Sequence, residues 1–132
     1  MQPETRRAIV DRLVAFERVV EIGIGHRTGV AAALADAGVA VTATDVSERS
    51  VPGAVAFVRD DVTDPTPGVY ADADALYALN LPPELHRPAA DLARNVDAAF
   101  IFTTLGADPP AVPVVREALP GETLFVAESE SP

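Results

Sequence analysis

The stretch Val19–Val30, VVEIGIGHRTGV, restricts the fold of this chain more than any other. Branched apolar residues run straight into glycines at 23 and 25, and a third follows at 29. A buried strand that must turn sharply and restart as a helix has this pattern. Gly23 allows the turn, Gly25 removes a side chain so that a ligand can touch backbone, and Gly29 lets helix and strand pack closely. The free amides of the following helix end attract an anion or a polar group. Asp45 lies about twenty residues on, at the end of the next expected strand, where an acid can accept hydrogen bonds from both ribose hydroxyls or cap a turn.

The rest of the chain repeats the alternation of strand and helix that implies a parallel sheet. Residues 3–17 read as a helix with Pro3 and Glu4 in its first turn and an apolar face from Ile9 to Phe16. Strands are expected at 18–23, 39–45, 54–59, 75–80, 97–103 and 123–128. Helices are expected at 27–37, at 82–95 and, opened by Pro113 and ended by Pro120–Gly121, at 113–119. Residues 60–74 carry Pro65, Pro67 and Gly68 and read as a loop. The tail 129–132 reads as frayed. The whole is expected to be one Rossmann-like α/β domain over 1–132, with a core over 18–128 and a mostly parallel sheet of order 3-2-1-4-5-6. The ligand crevice then lies where strands 1 and 4 diverge. The glycine loop, Asp45, Asp60, Asp61 and Asn80 all fall at that end of the sheet.

Composition narrows the setting. The chain has 132 residues, a formal net charge of −10 and no cysteine, and all ten basic residues are arginine. No disulfide or thiolate metal site is available, and no basic stripe marks a simple nucleic-acid binder. The acidic, lysine-free surface suits strong salt, although GC-rich codon bias also exchanges lysine for arginine. No apolar run is long enough to cross a membrane, and MQPETRRAIV lacks an apolar segment behind its arginines, so a cytoplasmic location is expected.

Three features bear on the ligand. The spacing is Gly-x-Gly-x-x-x-Gly, with Thr28 where the usual NAD pattern has its third glycine. Asp45 would repel the 2′-phosphate of NADP. Glu21 stands two residues before the first glycine, where a carboxylate would repel a pyrophosphate and welcome a cation.

On these residues the stretch resembles motif I of the class I S-adenosylmethionine-dependent methyltransferases, Glu/Asp-x-Gly-x-Gly. The resemblance covers about residues 18–80. It implies that Glu21 helps to hold the methionine amino group and that the loop backbone at Gly23 and Gly25 lines the methionine part. It also implies that Asp45 binds the ribose and that Asp60 or Asp61 contacts the adenine amino group. Asn80-Leu81-Pro82-Pro83 is similar to the Asn/Asp-Pro-Pro-aromatic segment of amino-group methyltransferases, whose polar side chain accepts a hydrogen bond from the target nitrogen. Here Leu81 is inserted and Glu84 replaces the aromatic residue. Asn80 is equally suited to cap a helix opened by the prolines. The small size and the segment YALNLPPEL also resemble an uncharacterised archaeal family with a core of this type.

The methyltransferase resemblance further implies a β-hairpin at the sheet edge and a substrate lid, neither of which the sequence pattern displays. A second subunit in a homodimer, or a macromolecular partner, would then close the site. Tyr77 reads as core, His26 as bordering a ligand or facing solvent, and His86 as a surface residue or a base. The leading expectation is binding of S-adenosylmethionine with methyl transfer to an unknown acceptor near Asn80. The alternative is a non-catalytic regulatory module that binds NAD or a related nucleoside. An NAD-linked oxidoreductase ranks below both, because Glu21 suits it poorly and no substrate domain follows.

Overall fold

A computed structural model describes residues 1–128, and the expected fraying of 129–132 lies outside the described residues. The chain runs α1 (Pro3–Leu13), β1 (Arg18–Ile22), α2 (Gly29–Asp36), β2 (Ala40–Asp45), β3 (Ala56–Arg59), α3 (Pro67–Tyr70), β4 (Ala75–Ala78), α4 (His86–Asn95), β5 (Ala99–Phe102), β6 (Val114–Leu119) and β7 (Glu122–Ala127). A 3-10 turn over Pro83–Leu85 leads into α4. The seven strands form one sheet of order β3-β2-β1-β4-β5-β7-β6. The first five strands pair in parallel. β7 runs antiparallel to β5 and to β6.

The expected order is therefore present, with one strand added at the edge. The expected helix at 113–119 is β6. Pro113 does not open a helix here because Val114 and Val115 are β-branched and the whole segment pairs with β7, from Val114↔Ala127 to Leu119↔Glu122. Pro120–Gly121 makes the turn between them, with Gly121 in the left-handed region at φ 73°. The edge hairpin that the sequence pattern conceals is thus supplied by β6 and β7. One further refinement is a single helical turn, α3, within the expected loop at 60–74.

Two apolar layers flank the sheet. Ile9 and Leu13 of α1 and Val30, Ala31 and Leu34 of α2 pack on one face, against Val19, Val41, Tyr77 and Ile101. Ala89, Leu92 and Ala93 of α4 pack on the other, with Tyr70, Leu76, Phe100 and Phe102. No helix lies between β5 and β6, and beside α4 the sheet is open as a groove of about 410 Å3 lined in part by Phe100 and Val126. α1 is also tied to the hairpin at the sheet edge. The Thr5 hydroxyl donates to the Pro120 carbonyl at 2.6 Å, and Arg12 donates to both Glu117 oxygens at 2.8 and 3.2 Å. The Arg12 guanidinium holds the Glu117 carboxyl below its ordinary pKa.

Leu34 is fully buried at the centre of the α1/α2 layer. Leu34→Ala should lower the unfolding free energy by about 2–5 kcal/mol, whereas Val115→Ala, at a 54% exposed position, should change it by less than about 1 kcal/mol. Denaturant titration in high salt measures both, and equal losses would contradict this layer assignment.

Candidate functional site

The parallel strands end together, and the loops leaving β1, β2, β3 and β4 surround a crevice of about 180 Å3. Gly23, Asp45, Asp60, Asp61 and Asn80 line it, with Leu81 on its apolar side. Five of the seven expected site residues therefore meet in one place. Gly25 and Glu21 sit behind the wall, in the loop and in the strand below it.

The glycine loop owes its shape to backbone conformation. Gly23 and Gly25 have φ of 70° and 59°, a region that costs other residues strain, and the space where a Cβ would stand is open at both. The amides of Gly23 and Ile24 donate to the Thr44 carbonyl at 2.9 and 3.1 Å, so the loop is laid across the end of β2. Gly29 works differently from the expectation. A Cβ there would come 2.9 Å from the Arg6 guanidinium, so this glycine lets α2 approach the side chain of α1 and not a strand.

Asp45 fastens the two loops. Its Oδ2 accepts the Gly25 amide at 2.8 Å, its Oδ1 accepts the Ser47 amide at 3.0 Å, and Arg49 Nε lies 3.4 Å from Oδ2. Burial works to raise the Asp45 pKa. The two amides and the Arg49 cation together outweigh it, and the carboxyl titrates below its ordinary value of 3.8. Asp45 is therefore an anion at the crevice wall.

The acids after β3 are also engaged locally. Asp60 Oδ1 accepts the Thr66 hydroxyl at 2.8 Å and Oδ2 accepts the Tyr70 hydroxyl at 2.6 Å. Asp61 uses only Oδ1, which accepts the Thr63 amide and hydroxyl at 2.9 and 2.7 Å, and these bonds lower its pKa.

Glu21 is enclosed, with 1% of its surface exposed, and its Oε1 accepts the Tyr77 hydroxyl at 2.6 Å. Burial raises its pKa to about 8 against the weaker pull of the Tyr77 hydrogen bond, so the carboxyl is mostly protonated at neutral pH. Tyr77 is core, as expected.

Asn80 follows β4 in the left-handed region, at φ 55°. Its amide N–H donates to Thr103 Oγ1 at 2.8 Å. With its side-chain amide oriented to satisfy both neighbours, its oxygen accepts Arg27 Nη1 at 2.6 Å and its nitrogen donates to the Thr104 carbonyl at 3.3 Å. It does not cap the following helix, where no side-chain cap is present.

Neither role expected for His86 holds. The ring is fully buried, accepts the Ala111 amide at Nδ1 at 3.0 Å and donates from Nε2 to the Leu81 carbonyl at 2.8 Å. The ring is a strut that pins the 105–112 loop to the segment after Asn80. His26 is exposed and meets Arg49 Nη1 at 3.1 Å. Residues absent from the sequence reading of the site are Arg27, Arg49 and Thr103. The paired threonines at the end of the FIFTT run were the available signal for the last of these. Among the described residues no cluster of His, Asp or Glu is arranged to hold a metal ion.

A parallel sheet of this order, with an antiparallel edge strand and a crevice at the β1/β4 divergence, has the architecture of the class I methyltransferases. The chain belongs to UPF0146, an uncharacterised protein family whose model matches residues 5–129. A UPF0146 protein of Halobacterium salinarum is 55% identical over 127 residues, covering 96% of each chain. One from Archaeoglobus fulgidus is 43% identical over 91 residues, 69% of this chain and 70% of that protein. The acidic, lysine-free composition fits the kinship with Halobacterium.

Among solved structures, an RNA methyltransferase from Salinibacter ruber in complex with S-adenosyl-L-homocysteine superposes with a TM-score of 0.64 at 16% identity. It covers 96% of this chain and 94% of that one. Magnesium protoporphyrin IX methyltransferase from Synechocystis PCC 6803 with bound S-adenosylmethionine gives 0.64 at 17% identity, over 94% and 78%. At these identities the likeness is one of fold. No helix among the described residues is long and apolar enough to cross a membrane.

The Glu21 carboxyl binds its proton more tightly in the folded chain than at its ordinary pKa of 4.5. Between that value and about 8 the folded state holds more protons than the unfolded one, so stability should fall as pH rises through this window. The loss should be on the order of a few kcal/mol in total. Glu21→Gln keeps an acceptor for Tyr77 and should remove most of this decline. Its unfolding free energy relative to the parent should therefore be higher, the variant being relatively more stable, at pH 8 than at pH 5. Parallel pH profiles for the two proteins would mean that Glu21 is ionised within the fold.

Proposed function

We propose that this chain binds S-adenosylmethionine in the crevice at the ends of β1 and β4. The observation that carries the reading is the convergence of Gly23, Asp45, Asp61 and Asn80 on one crevice in a fold shared with methyltransferases crystallised with that ligand or its product. The residues suit the ligand. Asp45 is ionised beside the loop and offers carboxylate oxygens to ribose hydroxyls. Asp61, with Oδ2 clear of the Thr63 contacts, is the better placed of the two acids for an adenine amino group. The open space over Gly23 and Gly25 leaves room for the methionine chain. Glu21 serves the ammonium group once it ionises.

When bound, S-adenosylmethionine supplies an activated methyl group. The chain's part is then to hold the donor, exclude water with Leu81 and Pro82, and orient an acceptor near Asn80. A non-catalytic nucleoside-binding module is the second reading. It is favoured by the Asn80 side chain, whose amide is already engaged by Arg27 and Thr104.

Calorimetric titration in high salt with S-adenosylmethionine, S-adenosylhomocysteine and NAD in parallel tests the proposal. The first two are expected to bind and NAD is not. Asp45→Ala should weaken binding about tenfold or more, with a melting scan to establish that it folds. Binding of NAD alone would overturn the ligand assignment, and undiminished binding by Asp45→Ala would overturn the site. Turnover with candidate amine acceptors separates the enzyme from the module.

A further inference from the structure

The methionine end of S-adenosylmethionine carries a carboxylate as well as an ammonium group. Three acids, Asp45, Asp60 and Asp61, line the crevice, so a carboxylate entering there calls for a cation beside it. Four of the ten arginines pair with acids: Arg12 with Glu117, Arg49 with Asp45, and Arg87 and Arg94 with Asp91. Arg27 is in a different position. It lies on the glycine loop two residues beyond Gly25, it is exposed, and among the described residues no carboxylate comes within 4.0 Å of it. Its Nη1 instead meets the neutral side-chain oxygen of Asn80 at 2.6 Å, and Asn80 lines the crevice.

Resting on the reading of the crevice given above, we propose that Arg27 recognises the carboxylate of the ligand's amino-acid end, with Asn80 holding the guanidinium in place until the ligand arrives. The planar fork of arginine matches a carboxylate with two parallel hydrogen bonds, and a charged acceptor outcompetes the neutral amide oxygen. Asn80 is itself fixed, by the bond from its amide N–H to Thr103 Oγ1 and by its left-handed backbone, so the contact aims Arg27 at the β1/β4 gap. Arg27 and Glu21 then sort the two charges of the zwitterion from the loop and from the strand beneath it. A pyridine dinucleotide offers no carboxylate to Arg27.

The test uses two probes that share the adenosine and thioether: S-adenosylhomocysteine, which has the amino-acid end, and 5′-methylthioadenosine, which lacks it. The parent, Arg27→Gln and Arg27→Lys are each titrated calorimetrically in the full-length chain, with melting scans alongside. Arg27→Gln is expected to bind S-adenosylhomocysteine about tenfold or more weakly and methylthioadenosine within about twofold of the parent. Arg27→Lys should fall between. Equal losses for both probes, or no loss for either, would overturn the role of Arg27 while leaving the crevice reading in place. Failure of the parent to bind either probe would overturn the crevice reading, and this proposal with it.

Discussion

The bond from the Gly25 amide to the Asp45 carboxylate fixes the geometry on which the rest of the crevice depends. It joins two loops separated by 20 residues at the ends of adjacent parallel strands. A glycine loop free of that tie would sample many conformations, since two of its residues have no Cβ to restrict them. With Asp45 and the Thr44 carbonyl both taking its amides, the loop is ordered before any ligand arrives. The ordering entropy then belongs to folding and not to binding, which favours affinity. Substituting Asp45 thus has two effects on the crevice wall, a lost carboxylate and a loosened loop.

Two acids on adjacent strands of the sheet hold different charge states. Asp45 is met by amides and a guanidinium, which keep its proton away. Glu21 is met by one phenol and a wall of apolar side chains, which keep its proton on. The environment makes one a ready anion and the other a reserve, the pattern by which neighbouring carboxyls come to do different work. The protonated state spares the core an unpaired buried charge.

How much of this was visible in the chain depended on the range of the interactions involved. The strands β1, β2, β4 and β5 and the turn at Gly23 are written locally, in continuous apolar runs and in one residue type with special backbone freedom. The meeting of Asp45, Asp61 and Asn80 followed from strand order alone. The misread segment, 113–119, is local only in its prolines. Its true state comes from pairing with β7, and its β-branched valines were the quieter but better signal. The burial of His86 rests on an amide 25 residues away, and the neutral state of Glu21 rests on a hydroxyl 56 residues away. No periodicity marks such partners. Arg27 escaped notice for the same reason: its meaning comes from Asn80, across the sheet.

The contacts of α1 with the β6–β7 hairpin unite positions 115 and 105 residues apart, the opening helix with the closing turn and edge strand. During synthesis α1 leaves the ribosome before the strands it braces. Until then Thr5 and Arg12 have no partners and the final edge of the sheet does not exist. The crevice strands are complete well before that moment. The strands that surround the crevice are thus available before the contacts that tie α1 to the hairpin can form. Removing α1 or the hairpin would be felt at the other, although neither lines the crevice.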